Sequence, residues 1–333
     1  MDTINLSLTD IELLASDCLQ RHGADQDNAA AVARIITAAE RDGCHSHGLM
    51  RLAGYLAALD SGKVNGHAKP EVKQIAPAVV QVDGDGGFAP LALEVGRPAF
   101  IECTKNNGIA ALSLVNIHHF AALWTEVEPV VSAGLCAMAC VSYKPAVIPA
   151  GGSKALYGTN PVAFGWPRTS APPVIFDQAS SVMARGEVML AARNDEVLPP
   201  GVGVDSDGNP TEDPNEVLKG AMLAYGGHKG SSIAMMVELL AGALIGESLS
   251  FEAAERDNND GGPPQGGEFM LALDPNHFGD AEGWSDHAEG LFAKIVEQDG
   301  ARLPSDRRYK HRAVAAEQGV DVAKSVHDKI LSM

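Results

Sequence analysis

The sequence predicts an α+β protein in which a helical domain is built from both ends of the chain. Helical periodicity fills residues 9–62 and returns over residues 307–333. From about residue 75 the pattern changes to short β-rich runs that alternate with glycine turns and helices. Amphipathic helices at the two ends can bury their apolar faces against each other. We therefore assign residues 1–72 and 305–333 to one discontinuous helical domain and residues 73–304 to a mixed α/β region.

Caps and periodicity define the helices of the first segment. Thr9 and Glu12 have the spacing of a capping box, and apolar residues then recur at helical spacing. Two further helices are predicted over residues 25–41 and 49–59. The segment 43–48, which begins and ends with glycine, separates them.

In the middle region, β-branched and apolar runs between turn residues predict strands, and longer periodic runs predict helices. Pro98 and Pro129 lie inside two of these helices and argue against them. The predicted strands are residues 79–82, 109–115, 135–142, 161–164, 174–176 and 269–273. The predicted helices are residues 89–103, 120–133 and 231–244, with a return to helix over residues 307–333.

Composition narrows the class of protein. A chain of 333 residues suggests about two domains, and 45% hydrophobic residues can form a sizeable core. The net charge of -18 repels phosphate backbones and anionic lipids, so we expect no nucleic-acid or membrane partner. Five cysteines without a Cys-x-x-Cys pair, and no signal-like first segment, predict reduced thiols in a cytoplasmic protein.

The segment Ser46-His47-Gly48 with Arg51 is the first candidate site. His47 lies in the predicted break between two helices, and an imidazole titrates near neutral pH, which suits a proton donor or acceptor. Arg51 follows one helical turn later and could bind a carboxylate through two parallel hydrogen bonds. The alternative is a capping histidine and a solvated arginine.

A pair of histidines, His118 and His119, follows the predicted strand 109–115. Strand ends are common positions for functional groups in α/β enzymes. Adjacent side chains point in different directions, so at most one histidine faces a given pocket. This spacing is not typical of zinc ligands, and no Glu or Cys partner stands nearby in the sequence, so we predict no metal site.

Two turns carry further candidates. Thr159, in Gly158-Thr159-Asn160-Pro161, offers a hydroxyl before a strand, with an ordinary turn as the alternative. Asp177 ends a strand and could orient a histidine. Gln178, Ala179 and Ser180 come next, and small or hydroxyl residues at a helix start suit a phosphate or ribose. Simple helix capping is the alternative.

The segment Gly226-Gly227-His228-Lys229-Gly230 opens the predicted helix 231–244. Glycines allow close backbone approach, a helix start attracts anions, and Lys229 adds a positive charge. A dinucleotide phosphate is the natural ligand, with a structural turn as the alternative. Residues 84–89 imitate a Rossmann glycine fingerprint without its acidic partner at a second strand end. Residues 205–216 imitate a calcium loop, but Pro210 replaces the required glycine.

Taken in order, these segments resemble the type-2 malate/L-lactate dehydrogenase family, which is unrelated to the Rossmann-type lactate and malate dehydrogenases. Within the family, residues 118–129, 207–214 and 227–230 resemble the Δ1-piperideine-2-carboxylate/Δ1-pyrroline-2-carboxylate reductases. The matching landmarks, which span the chain from about residue 10 to 330, are Ser46-His47-Gly48-x-x-Arg51-x-x-x-Tyr55, Asn116-x-x-His119-Phe120, Gly158-Thr159-Asn160-Pro161, Phe176-Asp177-x-Ala179-Ser180, Gly227-x-Lys229-Gly230 and Arg302-Leu303-Pro304.

The resemblance implies a reductase that converts cyclic imines to L-pipecolate and L-proline. NADPH is the implied cofactor, and NADH is also possible. It implies a homodimer whose site lies between domains and near the dimer interface. It also implies that the cofactor domain, within residues 73–304, has a largely antiparallel sheet and is not a Rossmann domain.

The resemblance and the chemistry of the residues together give each candidate a role. His47, positioned by Asp177, would donate the proton. Arg51 and Thr159 would hold the substrate carboxylate, and Ser46 and His119 would line the substrate pocket. The residues expected to bind the cofactor are Gln178, Ala179, Ser180, His228, Lys229, Gly230 and Arg302.

Several positions depart from the family pattern. Ser142-Tyr143 replaces the usual Asn-Ser, Gln178 replaces a frequent methionine and Ser180 a frequent threonine, while Ser305 stands where glycine usually follows Leu-Pro. Tyr143 therefore puts the identity of the substrate in question. One alternative is a 2-hydroxyacid dehydrogenase of the same family, which would act on C=O instead of C=N. The other is a dinucleotide-binding protein without catalysis.

Overall fold

The computed structural model describes residues 2–119 and 121–333. Phe120, where one helix is predicted to begin, lies outside this part of the chain. The strands are β1 Thr3–Leu6, β2 Glu71–Ala76, β3 Val79–Asp83, β4 Ile109–His118, β5 Cys136–Val141, β6 Val162–Trp166, β7 Val174–Gln178, β8 Gly203–Val204, β9 Pro210–Thr211, β10 Ala221–Met222, β11 Gln265–Leu273 and β12 Val320–Ala323.

Helices surround these strands. The α-helices are α1 Leu8–Arg21, α2 Gln26–Arg41, α3 Leu52–Asp60, α4 Ala89–Asn107, α5 Trp124–Ser132, α6 Arg185–Arg193, α7 Pro214–Lys219, α8 His228–Glu238, α9 Ser250–Arg256, α10 Trp284–Val296, α11 Asp306–Gln318 and α12 Lys324–Leu331. Short 3-10 turns occupy His45–His47, Leu49–Arg51 and Pro275–His277, and a π-helical segment, Leu239–Ala243, continues α8. Within the described residues, no helix combines the length and apolar character needed to cross a bilayer.

The central sheet has seven strands in the order β2-β3-β4-β11-β5-β6-β7. Only β3 and β4 run parallel, and α4 connects them, while the other five neighbouring pairs are antiparallel. The largely antiparallel sheet is therefore confirmed. Strand β11 enters from the C-terminal half of the chain between β4 and β5, so Glu268 lies opposite Leu114 on one side and Val141 on the other.

The main core lies between this sheet and the helices α4 and α5. Phe100 of α4 and Val127 of α5 are completely buried in one cluster with Leu112 and Leu114 of β4. Each large apolar side chain that is buried contributes about 1.5–3 kcal/mol, so several of them together outweigh the roughly 3 kcal/mol that each of Pro98 and Pro129 costs inside these helices. Both proline-containing helices are therefore present as predicted.

The two chain ends pack together, as the sequence predicts. β1 pairs antiparallel with β12, and Thr3 lies opposite Ala323. Ile11, Leu19 and Tyr55 share a buried cluster with the C-terminal residues Val320 and Ile330. The pairing also corrects the prediction that the last segment is helical throughout, because β12 separates α11 from α12.

Other local predictions were incomplete. The first helix begins at Leu8, where Ser7 and Asp10 form the capping box instead of Thr9 and Glu12. The strands β1 and β2, the three-stranded sheet of order β10-β8-β9 and the helices α6, α7, α9 and α10 were not predicted. Except for β2, which has six residues, these strands have two to four residues and are too short to show a period of two.

Arg312 of α11 links three elements that are far apart in the sequence. Its guanidinium donates to Asp42, at the end of α2, over 2.5 and 3.0 Å, and to Glu128 of α5 over 2.9 and 3.2 Å. Arg41 donates to the same Asp42 carboxylate over 2.7 Å. The Asp42 side chain is fully buried, so its charge depends on these donors.

We predict that Arg312→Met lowers the free energy of unfolding by about 3 kcal/mol, because it leaves the Asp42 carboxylate buried beside one arginine. Chemical denaturation measures the change. The matched control is Lys294→Met, since Lys294 pairs with Glu297 in a largely exposed position and its loss should cost about 0.5 kcal/mol or less. Equal effects of the two substitutions would contradict the structural role of Arg312.

Candidate functional site

The break between α2 and α3 is organised by a buried carboxylate. Glu40, 4% exposed, accepts a hydrogen bond from the Leu49 backbone N–H over 2.7 Å, and its second oxygen lies 2.5 Å from His45 Nδ1. A side chain at Gly48 would overlap this carboxylate, so glycine is required there. The chain therefore forms two successive 3-10 turns, His45–His47 and Leu49–Arg51, instead of a continuous helix.

These turns bring together Ser46, His47 and Arg51, as the sequence predicts. Ser46 Oγ lies 3.1 Å from His47 Nδ1, and Arg51 Nε donates to the Ser46 carbonyl over 2.7 Å. A hydroxyl that donates to Nδ1 leaves the ring proton on Nε2, which becomes a hydrogen-bond donor. Arg51 thus holds the main chain of the turn, and Ser46 orients the imidazole.

The two histidines of this turn have opposite electrostatic surroundings. Burial, and after it the nearby charge of Arg51, lowers the pKa of His47 to about 3. The hydrogen bond to Glu40 raises the pKa of His45. His47 is therefore a neutral imidazole at neutral pH, and an incoming anion that offsets the Arg51 charge would raise its pKa.

The first turn of α6 closes one side of this cluster. A β-carbon at Gly186 would lie 3.1 Å from Ser46 Cβ and 3.7 Å from Arg51 Nη2, so the helix approaches closely. Arg185, next to this glycine, interacts electrostatically with Tyr143 and Arg51, and burial lowers the pKa of both arginines. Two guanidiniums share one partly buried region of an acidic protein, an arrangement that favours a small anion. No sequence pattern marks Arg185, and our sequence analysis missed it.

Asp177 lies on β7 opposite Ala163 of β6. Burial raises the pKa of its carboxyl, while the charge of Arg308 and the Trp124 backbone N–H oppose that rise. Among the described residues, no hydrogen bond joins Asp177 to His47. The observed partner of the His47 ring is Ser46, so the predicted positioning of His47 by Asp177 is not seen in this structure.

A hydrogen-bond network joins two of the predicted cofactor segments. Ser180 donates its backbone N–H to the Thr159 carbonyl over 2.7 Å and its hydroxyl to the Asn160 carbonyl over 2.8 Å. Its own carbonyl accepts from the Tyr225 backbone N–H over 3.0 Å. A β-carbon at Gly230 would lie 2.7 Å from that same carbonyl, so glycine is required. The structure therefore places Thr159, Ser180 and Gly230 side by side.

Asn160 anchors the Thr159 turn to helix α8. It is fully buried, and its amide donates to the Ala234 carbonyl over 3.0 Å and to Glu238 over 2.7 Å. Its φ of 38° lies in the left-handed region, which asparagine tolerates better than most residues. These bonds hold the Thr159 turn against α8.

The N-terminus of α8 is open to solvent. Gly226 and Gly227 both have positive φ, at 56° and 62°, and lead directly into the helix. His228 and Lys229 are exposed in its first turn. The helix dipole and the exposed lysine charge suit the phosphates of a dinucleotide. Gln178 and Ala179 lie at the end of β7, next to Ser180.

The turn that contains Arg302 is anchored to the edge strand β7. Ser305 has a φ of 75°, a left-handed conformation that favours glycine and accounts for the usual glycine at this position. Its hydroxyl contacts both the N–H and the carbonyl of Ile175. Serine is strained in this backbone conformation, but its hydroxyl makes two contacts that a glycine could not make. Arg302 itself is exposed at this turn.

The two adjacent histidines face different surroundings, as predicted. Burial lowers the pKa of His118 to about 4, with Lys63 adding to the effect. His119 instead faces two glutamates, Glu126 and Glu268, and polar atoms of the three side chains lie within 4.8 Å of one another. The reasoning that no Glu partner stands near His119 was therefore wrong. Glu126 lies only seven positions away and was overlooked, while β-sheet pairing brings Glu268 from the other half of the chain.

Known proteins are similar to this chain over nearly its whole length. Residues 6–331 match the model of the family described as malate/L-lactate dehydrogenase. The chain belongs to this family. It is 47% identical to the Δ1-pyrroline-2-carboxylate reductase of Ancylobacter novellus, with 100% of this chain and 98% of the relative covered. It is 46% identical to the Δ1-pyrroline-2-carboxylate/Δ1-piperideine-2-carboxylate reductase of Pseudomonas aeruginosa, with 99% of each covered.

A solved structure shows the same fold. The crystal structure of Δ1-piperideine-2-carboxylate reductase from Pseudomonas syringae pv. tomato matches with a TM-score of 0.95 and 39% identity, and 99% of each chain is covered. The resemblance drawn from the six landmarks is therefore confirmed over the whole family domain.

We predict that the His47 ring stays neutral from about pH 8 to about pH 5, where an ordinary histidine becomes charged. Its pKa is lowered, so protonation requires more acid. His45 is the matched control because its raised pKa makes it charge at a higher pH than usual. Nitrogen–proton correlation spectra of the imidazole rings, assigned with His47→Gln and His45→Gln, follow both residues. A His47 titration near neutral pH would contradict the described site.

Proposed function

We propose that this protein is an NADPH-dependent reductase of cyclic imino acids. It would convert Δ1-pyrroline-2-carboxylate to L-proline and Δ1-piperideine-2-carboxylate to L-pipecolate. The observation that carries the proposal is the cluster of a neutral His47, oriented by Ser46, beside the guanidiniums of Arg51 and Arg185. The names of the relatives that are similar along the whole chain support the same reaction.

The two arginines supply the binding site for the substrate carboxylate. Arg51 already donates Nε to the Ser46 carbonyl, which fixes the plane of its guanidinium. The Thr159 hydroxyl, on the turn held by Asn160, provides a further polar contact. A carboxylate bound between these groups replaces water with fixed donors and holds the ring beside His47.

His47 supplies the proton contact at the ring nitrogen. In the free protein the Ser46 hydroxyl lies 3.1 Å from Nδ1, and a hydroxyl that donates to Nδ1 leaves the ring proton on Nε2, where it is available to a substrate. A bound carboxylate would offset the Arg51 charge, which is a smaller cause of the lowered His47 pKa than burial. The ring therefore stays neutral, and the proton that it would share with the substrate is the one on Nε2. Asp177 remains a proposed catalytic residue, although its observed surroundings are Arg308 and Trp124.

The residues present fit a dinucleotide. The left-handed glycines, the open start of α8 and the exposed Lys229 can hold its phosphates, next to Gln178, Ala179 and Ser180. Arg302 is a further candidate contact. When bound, the reduced nicotinamide supplies the hydride. We propose that NADPH is preferred to NADH as the cofactor.

We also propose a domain arrangement, an oligomeric state and a cellular location for the protein. Residues 73–304 contain a cofactor domain that is not a Rossmann domain, which the mostly antiparallel sheet supports. The helical domain combines both chain ends, and its first boundary belongs before β2, since residue 72 falls inside that strand. A cytoplasmic homodimer completes the proposal. It is supported by five free thiols and by the exposed apolar side chains Met235, Leu239 and Leu244.

The direct test is an assay of NADPH oxidation with four substrates. We expect rapid turnover of Δ1-pyrroline-2-carboxylate and Δ1-piperideine-2-carboxylate, and slow turnover of pyruvate and oxaloacetate. Parallel assays with NADH determine the cofactor preference. Turnover of the oxoacids alone would reject the proposal and identify a 2-hydroxyacid dehydrogenase of the same family, with Tyr143 as the first residue to exchange.

We predict that His47→Ala lowers imine turnover by about 10²-fold, the usual contribution of a positioned acid or base. Binding of NADPH, followed by fluorescence, should stay unchanged because His47 is not among the residues expected to hold the cofactor. His287→Ala, an exposed position on α10, is the matched control. Turnover of His47→Ala close to that of the control would remove His47 from the mechanism.

A further inference from the structure

A second polar cluster lies buried beside the site, and its two glutamates have no part in the chemistry described above. Glu126 of α5 and Glu268 of β11 are 1% and 0% exposed, and His119, directly after β4, is 8% exposed. His119 Nε2 lies 2.5 Å from Glu126 Oε1 and 3.9 Å from Glu268 Oε2. Three separate elements therefore bring two carboxyl groups and one imidazole into contact.

Three oxygens of this cluster lack a hydrogen-bond donor in the described part of the chain. They are Glu126 Oε2 and both carboxyl oxygens of Glu268. A buried, ionised carboxylate without donors is very costly, and two adjacent ones repel each other as well. A proton on one carboxyl removes the repulsion and supplies the missing donor. The geometry alone therefore calls for one neutral acid.

The charged and titratable groups that face the cluster do not remove this requirement. Arg97 of α4 lowers the pKa of both carboxyls, while Asp177 of β7 raises that of Glu126. Within the described residues, Tyr55 of α3, Cys140 of β5 and His47 also interact electrostatically with the cluster.

Burial dominates the titration of the pair. It raises the pKa of Glu126 to about 8 and that of Glu268 well above its usual range, where the Glu126 charge adds to the effect. Burial also lowers the pKa of His119, which favours a neutral ring. At neutral pH, the pair therefore retains at least one proton and the imidazole is uncharged.

We propose that Glu268 is a neutral carboxylic acid that donates a hydrogen bond to Glu126, and that Glu126 in turn accepts the Nε2–H of His119. This chain fixes the tautomer of His119 and leaves Nδ1 as an acceptor. Glu268 and Glu126 are thus positioning residues that act through His119. The placement of His119 at the substrate pocket rests on the proposed function, whereas the position of the proton in the cluster does not.

The distances favour a shared proton over a metal ion in this cluster. Zinc bonds to nitrogen and oxygen are about 2.0–2.2 Å long, which places two tetrahedral ligands roughly 3.4 Å apart. The 2.5 Å between His119 Nε2 and Glu126 Oε1 is a hydrogen-bond distance and leaves no room for an ion between them.

Infrared spectroscopy tests the proton directly, without any assay of activity. We expect the C=O stretch of a buried carboxylic acid at neutral pH, shifted in heavy water. At about pH 9, above the pKa of about 8 for Glu126, Glu268→Gln should lack this band while the wild type retains it, because only Glu268 keeps its proton there. Glu126→Gln should retain the band, because burial still keeps Glu268 protonated. The matched control is Glu289→Gln, since Glu289 pairs with Arg168 and its pKa is lowered.

Three outcomes would overturn the proposal. The first is a wild-type protein without the band, and the second is a Glu268→Gln variant that retains it at about pH 9. The third, from metal analysis, is a stoichiometric divalent metal in the purified protein that is lost in Glu268→Gln, since the metal would then replace the proton. Each result is independent of whether the protein reduces imines.

Kinetics test the positioning role. Glu268→Gln preserves a donor and should keep kcat close to the wild-type value, but it removes the loss of kcat that ionisation of Glu268 causes at alkaline pH. Glu268→Leu removes the donor and should lower kcat by about tenfold, the equivalent of one lost hydrogen bond. Identical pH profiles for wild type and Glu268→Gln, or equal kcat for Gln and Leu, would reject this role.

Discussion

Arg312 holds together the segments on which the candidate site depends. Its guanidinium ties α11 to Asp42 at the end of α2 and to Glu128 on α5. Asp42 lies immediately before the turn that carries His47, and His311 packs against Gly43 in that turn. The Asp42 carboxylate is fully buried and therefore needs its arginine partners. Packing of α11 against α2 supplies Arg312 and so holds the turn in place.

Burial also explains why the site can be chemically active. Inside the protein each ionisable group must be paired or neutral. His47 becomes neutral, whereas Arg51 and Arg185 remain as cations that can receive an anion. A net charge of -18 would keep anions away, so the local arginines must attract the carboxylate against the global field.

Sequence patterns predicted the features that depend on neighbouring residues. The strands β3 to β7 and β11 follow from runs of apolar residues, and the turn at Ser46-His47-Gly48 from a break in helical periodicity. Features that depend on distant pairing could not be predicted. Examples are the β1–β12 pair, the entry of β11 between β4 and β5, and hence the contact of Glu268 with His119. Arg185 was missed because only the approach of α6 to Ser46 gives it a role.

The most direct test of the account is a crystal structure with oxidised cofactor and pyrrole-2-carboxylate, a planar and unreactive analogue of the imine. The account predicts that the analogue's carboxylate binds Arg51 and Thr159, that its ring nitrogen faces His47, and that the cofactor phosphates lie at the start of α8. An analogue bound away from His47, or cofactor phosphates at the glycine-rich residues 84–89, would contradict it.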